Sequence, residues 1–218
     1  MDLLIPVIIC LGLFYFWQYN RVQGSGIDQK RKALAEKHGL SFKGSDKTLC
    51  FRYEGTIKGK TWTLEGKWAM ANWFRRRRPE TNWTISGFDA EQAWLVGPRL
   101  PAIFQEFSFD DPRASKVVTA LMGGLSAELS KKVRPVTLSD TDFHKRFDLL
   151  STDDKQLRKV LTPQIRQILM QHPGGLTPPT VRFKGGALLI QFREVLAQPK
   201  DIEAAMAMGQ AITKKLIS

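Results

Sequence analysis

The chain has 218 residues and a formal net charge of +12, from 33 Lys and Arg against 21 Asp and Glu. At 43% apolar and 10% aromatic residues it is too hydrophobic for a disordered chain and long enough for one domain with a real core. The positive surplus favours polyanionic surroundings (anionic lipid headgroups, nucleic acid or an acidic protein) and says nothing about fold.

Residues 3–19, LLIPVIICLGLFYFWQY, hold no charge. As a helix such a run is about 26 Å long, at the short end of what spans a bilayer. Leu3 opens the run, and Tyr15, Trp17 and Tyr19 gather at its far end, where amphipathic rings favour the headgroup zone. A cleaved secretory signal needs a basic start and small residues at the cleavage site; here Asp2 precedes the run and aromatics close it. A lipoprotein signal does not fit either, because Ile8 and Ile9 precede Cys10 and the apolar run continues past it. Residues 1–20 are therefore expected to be an uncleaved transmembrane anchor. Arg21, Lys30, Arg31, Lys32 and Lys37 follow it against Asp28 and Glu36, which predicts the N-terminus outside and the body on the cytoplasmic side. The two cysteines, Cys10 and Cys50, suggest no disulfide, in keeping with a reducing compartment.

Residues 21–26 read as a flexible tether and 27–218 as one domain. Ser25 with Asp28 resembles a capping box, followed by a helix to about His38 that Gly39 ends. Its apolar content is thin (Ile27, Leu34, Ala35), which predicts a surface helix. Leu49, Phe51 and Tyr53 alternate with polar or small residues, Lys58-Gly59-Lys60 turns the chain, and Trp62 and Leu64 alternate again, a hairpin signature. A third strand fits Asn82–Ser86, with shorter ones at Trp94–Val96 and Phe107–Phe109. Asp111-Pro112 starts a helix predicted to run to about Lys132, with Gly123-Gly124 in its middle. His144–Leu150 reads as a strand, Ser151 with Asp154 as a second capping box, and Thr162-Pro163 as the restart of a broken helix. Val181–Lys184 and Ala187–Phe192 flank a Gly185-Gly186 turn, and a last helix covers Asp201 to about Leu216. The order predicts an α+β domain: one antiparallel sheet with helices packed mainly on one face.

Between the second and third strands lies KWAMANWFRRRRPE, read as a loop. Lys67, Trp68, Trp73 and Phe74 lead into Arg75, Arg76, Arg77 and Arg78. Near an anionic leaflet each cation is worth about 1 kcal/mol, so this stretch is the candidate anionic-surface contact; the competing reading is a solvated hairpin tip with Trp68 or Trp73 tucked into the core. Single-stranded nucleic acid is a third option through stacking and phosphate contacts. His38, His144 and His172 show no metal-ligand spacing. Asp110-Asp111 and Asp153-Asp154 read as helix caps. No phosphate loop or nucleophile elbow is present, and no cofactor is expected. Met206, Met208 and Met170 read as core filling more readily than as a partner surface.

The stretch FHKRFDLLSTDDKQLRKVLTPQIRQILMQHPGG, then VRFKGGALLIQF and a closing helix, resembles a pattern in uncharacterised membrane-anchored bacterial proteins, as does the earlier EGTIKGKTW hairpin. The resemblance covers residues 30–218, rests on caps and turns, and implies a fold without functional residues to carry over. The sequence thus points to a single-pass bacterial inner-membrane protein whose cytoplasmic domain is a non-enzymatic interaction module for a protein partner. A peripheral binder of anionic lipid or nucleic acid is the alternative, and an enzyme of unrecognised class the third.

Overall fold

The computed structural model describes residues 25–45, 49–71, 76–89, 92–101, 132–172 and 177–217. The expected anchor at 1–20, most of the expected tether, the strand expected at Phe107–Phe109 and the helix expected at 111–132 with Gly123-Gly124 lie outside the described residues. Among those described, no helix is long and apolar enough to cross a membrane.

The first half begins with α1 (Ser25–His38), which ends at Gly39 in the left-handed region (φ 62°), where glycine avoids the Cβ clash. Short β1 (Ser41–Lys43) then pairs with β2 (Leu49–Ile57). A two-residue turn at Lys58 and Gly59, with φ 47° and 78°, leads into β3 (Lys60–Ala71). Positive φ at both turn positions matches the right-handed twist of the flanking strands. β3 returns as β4 (Arg76–Ser86). Both are longer than the alternation suggested. The Lys- and Arg-rich stretch expected to be a loop is largely strand, and only 72–75 lie outside the described residues. Pro79 is tolerated because β4 meets β9 from Thr81 onward, so among the described residues no strand pairs with that side at Pro79.

The second half contains β5 (Trp94–Pro98), the two-residue β6 (Arg134–Pro135), the single turn α2 (Thr141–His144), β7 (Phe147–Ser151), α3 (Asp154–Val160), α4 (Pro163–Met170), the hairpin β8 (Thr180–Lys184) and β9 (Ala187–Phe192), and α5 (Pro199–Ile217). His144 ends α2 instead of opening a strand. The cap of α3 is Asp153, whose carboxylate accepts from Gln156 N, and not the Ser151–Asp154 pair; Ser151 Oγ instead donates to Asp153 O at 2.7 Å. Thr162 caps α4, with Pro163 in its first turn as the sequence predicts.

Among the described residues all pairs are antiparallel, and nine strands form one sheet in the order β1-β2-β3-β4-β9-β8-β5-β7-β6. The domain is therefore α+β. The β4–β9 ladder, Thr81↔Phe192 to Ser86↔Ala187, joins the halves. Beyond β4 the chain passes the tip of the β8–β9 hairpin, where Phe88 N donates to Gly186 O at 3.0 Å. A Cβ on Gly186 would collide with the Phe88 carbonyl, so this turn needs glycine for close approach as well as for φ.

α5 packs on β2 and β4 and touches α1, α3 and α4. Beneath it the Trp62 and Trp83 rings stack at 4.1 Å. Three glycines make room for the rings: Gly55 faces Trp62, Gly66 faces Phe51 and Gly209 of α5 faces Trp83. The main cluster runs from Phe51 and Trp83 to Phe147, Leu157 and Ile190. Met206 and Met208 are buried in it and Met170 packs at its edge, the core role expected of them. The opposite side of β2–β4 carries Arg52, Glu54, Glu65 and Lys67, joined by ion pairs from Arg52 to Glu65 at 3.3 Å and from Lys67 to Glu65 at 3.2 Å. Under β5 and β7, however, a second small cluster of Leu95, Leu150 and Val133 forms, so that part of the sheet is buried on both faces.

Candidate functional site

The residues singled out as an anionic-surface contact divide in three. Trp73, Phe74 and Arg75 lie outside the described residues. Trp68 is buried in the core cluster at 6% exposure, so it does not offer its ring to a surface, and the competing reading holds for it. Lys67 is half-buried, pairing with Glu65 at 3.2 Å and Glu80 at 3.9 Å, and Arg78 is exposed. Arg76, Arg77 and Arg78 stand on β4 opposite Ala71, Met70 and Ala69.

Register shows what this part of the hairpin is. Among the described residues β2 accompanies β3 as far as Lys67, opposite Leu49. β9 accompanies β4 only from Thr81. The pairs from Trp68↔Pro79 to Ala71↔Arg76 therefore form a two-stranded ribbon with no third strand beside it among the described residues. Four residues at about 3.3 Å each carry it roughly 13 Å beyond the level of Lys67.

A polar constellation that the sequence did not announce lies under α1. Arg31 is fully buried. Its guanidinium donates to Asp28 Oδ1 at 3.3 Å, Cys50 O at 3.3 Å and Leu196 O at 3.4 Å, and lies 4.5 Å from the centre of the Phe51 ring. Asp28 also accepts from Ser45 N and Oγ at 3.3 and 3.0 Å, and Tyr53 donates to Arg31 O at 3.0 Å. Burial pulls the Arg31 pKa below its ordinary value, opposed by its hydrogen bond to Asp28. Burial likewise raises the Cys50 thiol to about 11 and pushes the Tyr53 phenol up. A thiol held this far above neutrality is a poor nucleophile, so the cluster is a clamp joining α1, β2 and the segment before α5. The signal was present in outline: Arg31 stands three and four positions before Leu34 and Ala35, on the apolar stripe of α1.

The histidines occupy separate places. His38, at the end of α1, donates to Glu203 of α5 at 2.9 Å, and Lys37 donates to the same oxygen at 2.7 Å. These bonds, Lys37 first, hold the Glu203 carboxyl below the usual range. A shallow cleft of about 140 Å³ adjoins them, lined by His38, Leu40, Glu203, Met206, Ala207 and Gln210. His144 accepts from Leu138 N at 2.8 Å, an assignment that places its proton on Nδ1, and His172 follows α4. Among the described residues no group of His, Cys, Asp and Glu is arranged to hold a metal. Asp140 caps α2, accepting from Phe143 N at 3.0 Å, and takes a second bond from Arg166 at 2.8 Å. Both bonds hold its carboxyl below the ordinary range.

Neither the known protein-family profiles nor the curated protein sequences give a match to this chain. Its fold is similar to the crystal structure of the mycobacterial trehalose monomycolate transport factor A, TtfA, with a TM-score of 0.52 and 9% sequence identity, over 88% of this chain and 95% of that one. At that identity the likeness is one of fold.

Proposed function

We propose that the chain is a membrane-tethered, non-enzymatic interaction module, an adaptor or assembly factor that positions a protein partner at the cytoplasmic face of a bacterial inner membrane. The observation that carries the accessory role is the fold shared over 88% of this chain and 95% of a protein described as a transport factor. The tether rests on the uncharged run at 3–19, and the orientation on the basic residues that follow it. The use made of the described polar groups agrees with this reading. Asp140 and Asp153 cap helices, Arg31 and Asp28 clamp α1, and Glu203 ties α5 to α1. These are structural duties, and none brings a nucleophile to a base.

The test uses the full chain in cells. Cross-linking in intact cells, followed by fractionation, is expected to recover it in the membrane pellet with a reproducible protein partner. Protease added to spheroplasts is expected to leave residues 25–218 intact. Recovery as a freely soluble species, or digestion of the body from outside, overturns the tether or its orientation. Membrane recovery with turnover of a small substrate by the purified chain overturns the non-enzymatic part.

A further inference from the structure

The helices α1 and α5 are fastened to the body by different means. α5 buries seven of its 19 residues, Ile202, Met206, Met208 and Ile212 among them. Among the described side chains of α1, Arg31, Leu34 and Ala35 are buried, and one of these carries a charge. Much of its other attachment is polar. Arg31 serves the Cys50 and Leu196 carbonyls, Tyr53 donates to the Arg31 carbonyl, and at the last turn Lys37 and His38 share one oxygen of Glu203. The two kinds of fastening respond differently to water. An apolar side chain pulled from a core loses its burial outright. A buried guanidinium regains hydration when it leaves, as do the carbonyls it served, and this offsets much of what the bonds contribute. A helix of 14 residues is marginal in isolation, so α1 leaves and returns as one unit. The exposed Gly39 at its end is the pivot, where the chain turns toward β1 and β1 stays paired with β2.

We infer that α1 is a releasable strap: it swings from the body while the sheet and α5 stay folded, and its release uncovers the Cys50–Tyr53 stretch of β2 and the Leu196 carbonyl before α5. The inference goes beyond the adaptor reading and does not depend on it, because every residue it uses belongs to the folded body. What the strap covers is defined. The Cys50 thiol is fully buried, close enough to Arg31 and Asp28 for both charges to act on it. Tyr53 is fully buried as well, with its hydroxyl spent on α1 itself. Closure is fixed from both ends of the helix, by Arg31 against β2 and the segment before α5, and by Glu203 of α5 against the last turn. Opening at one helix with the core intact is a sub-global event of the kind native-state exchange detects. It also makes Cys50 a built-in reporter, since a thiol reacts only where reagent and water reach it.

The test is amide hydrogen exchange on the full chain in a mild detergent, with N-ethylmaleimide labelling of Cys50 read by mass spectrometry of its own peptide, which separates it from Cys10. Amides of 30–38 are expected to exchange at least about a hundredfold faster than those of 188–191 in β9. Below the unfolding midpoint their rate should rise with urea at no more than about a third of the β9 slope, because little surface is exposed. Cys50 labelling should follow the same shallow slope. Leu149→Ala, on β7, should speed exchange in β9 by at least about tenfold and leave 30–38 and Cys50 unchanged, because that contact is kept when the strap opens. Glu203→Gln should speed 30–38, Cys50 and β9 together by about threefold, because it weakens the closed state that all three openings start from. Exchange at 30–38 with the full β9 slope, measured on the unaltered chain, means that α1 leaves only when the domain unfolds and overturns the strap. A response of 30–38 to Leu149→Ala equal to that of β9 overturns it too. Shallow exchange at 30–38 with Cys50 labelled only at the full slope overturns α1 as the cover of Cys50.

Discussion

Lys58 occupies a position that favours Asn or Gly. Its φ of 47° places a Cβ-bearing, long side chain in the left-handed region, where short polar residues or glycine are the usual occupants of this turn. The side chain is exposed, so nothing in the packing repays the strain. Lys58→Asn is expected to stabilise the domain by about 0.5–1 kcal/mol, read as a raised urea midpoint at unchanged slope. Gly209 is the opposite case. In an exposed helix Gly→Ala gains about 1 kcal/mol, but here the new Cβ would meet the Trp83 indole. That ring is held between Gly209 and Trp62, so it has no room to retreat. Gly209→Ala should therefore lose about 1–3 kcal/mol net, and a stabilised variant would show that α5 does not sit on Trp83 this closely. Arg31→Met removes a buried charge of similar length but strands the Cys50 and Leu196 carbonyls. A loss of about 2–4 kcal/mol is expected, with Asp28→Asn costing less because Asp28 keeps 28% of its side chain in solvent.

At the scale of elements, local chemistry decides what the sequence discloses. The β2–β3 and β8–β9 hairpins were legible because period-two alternation and two-residue turns are encoded within about a dozen neighbouring residues. The same holds for the Thr162-Pro163 restart and for Gly39 at the end of α1. The outer lengths of β3 and β4 were not legible. Lys67, Pro79 and the arginine run read as loop composition, and only the register with β2 and β9 shows that the strands continue. The distant partners of Arg31 were hidden for a related reason: besides Asp28, its acceptors include backbone carbonyls 19 and 165 residues away. The candidate site was legible as a charge run, but the pairing of its arginines with Ala69, Met70 and Ala71 is a property of the folded sheet. Elements also couple through side chains, and Asp140 is the clearest case. It caps α2 and binds Arg166 of α4, and its folded-state pKa is depressed. A depressed carboxyl stabilises the fold above its unfolded pKa, and that contribution is lost as pH falls through the lower folded value. Glu203, depressed by Lys37 and His38, has the same sign. Stability is expected to fall below the ordinary carboxylate range, roughly pH 4. Asp140→Asn, measured by urea midpoint against pH, should flatten that slope while lowering the neutral-pH midpoint. An unchanged slope would mean that the cap is not formed in solution.

For the whole molecule, the deciding feature is that one sheet carries one main core. Among the described residues its two edge strands are short, three residues in β1 and two in β6, and Pro135 stands in the latter. Short edges with proline resist strand addition from another chain. Between the edges the β4–β9 ladder makes a continuous lamina, and the core cluster crosses it without a break, from Phe51 and Trp62 to Phe143 and Phe147. A domain built this way should not unfold in halves. The tryptophans buried among the described residues sample both sides of the junction, Trp62, Trp68 and Trp83 in the first half and Trp94 in the second. Urea unfolding followed by tryptophan fluorescence and by far-ultraviolet circular dichroism is expected to give one coincident transition. Trp83→Ala removes the ring that lies between Gly209 and Trp62, and should lower that midpoint for both probes together, at a cost of about 3–5 kcal/mol. If instead Trp94 in the variant reports an unchanged second transition, the halves are separate folding units and the β4–β9 ladder does not couple them.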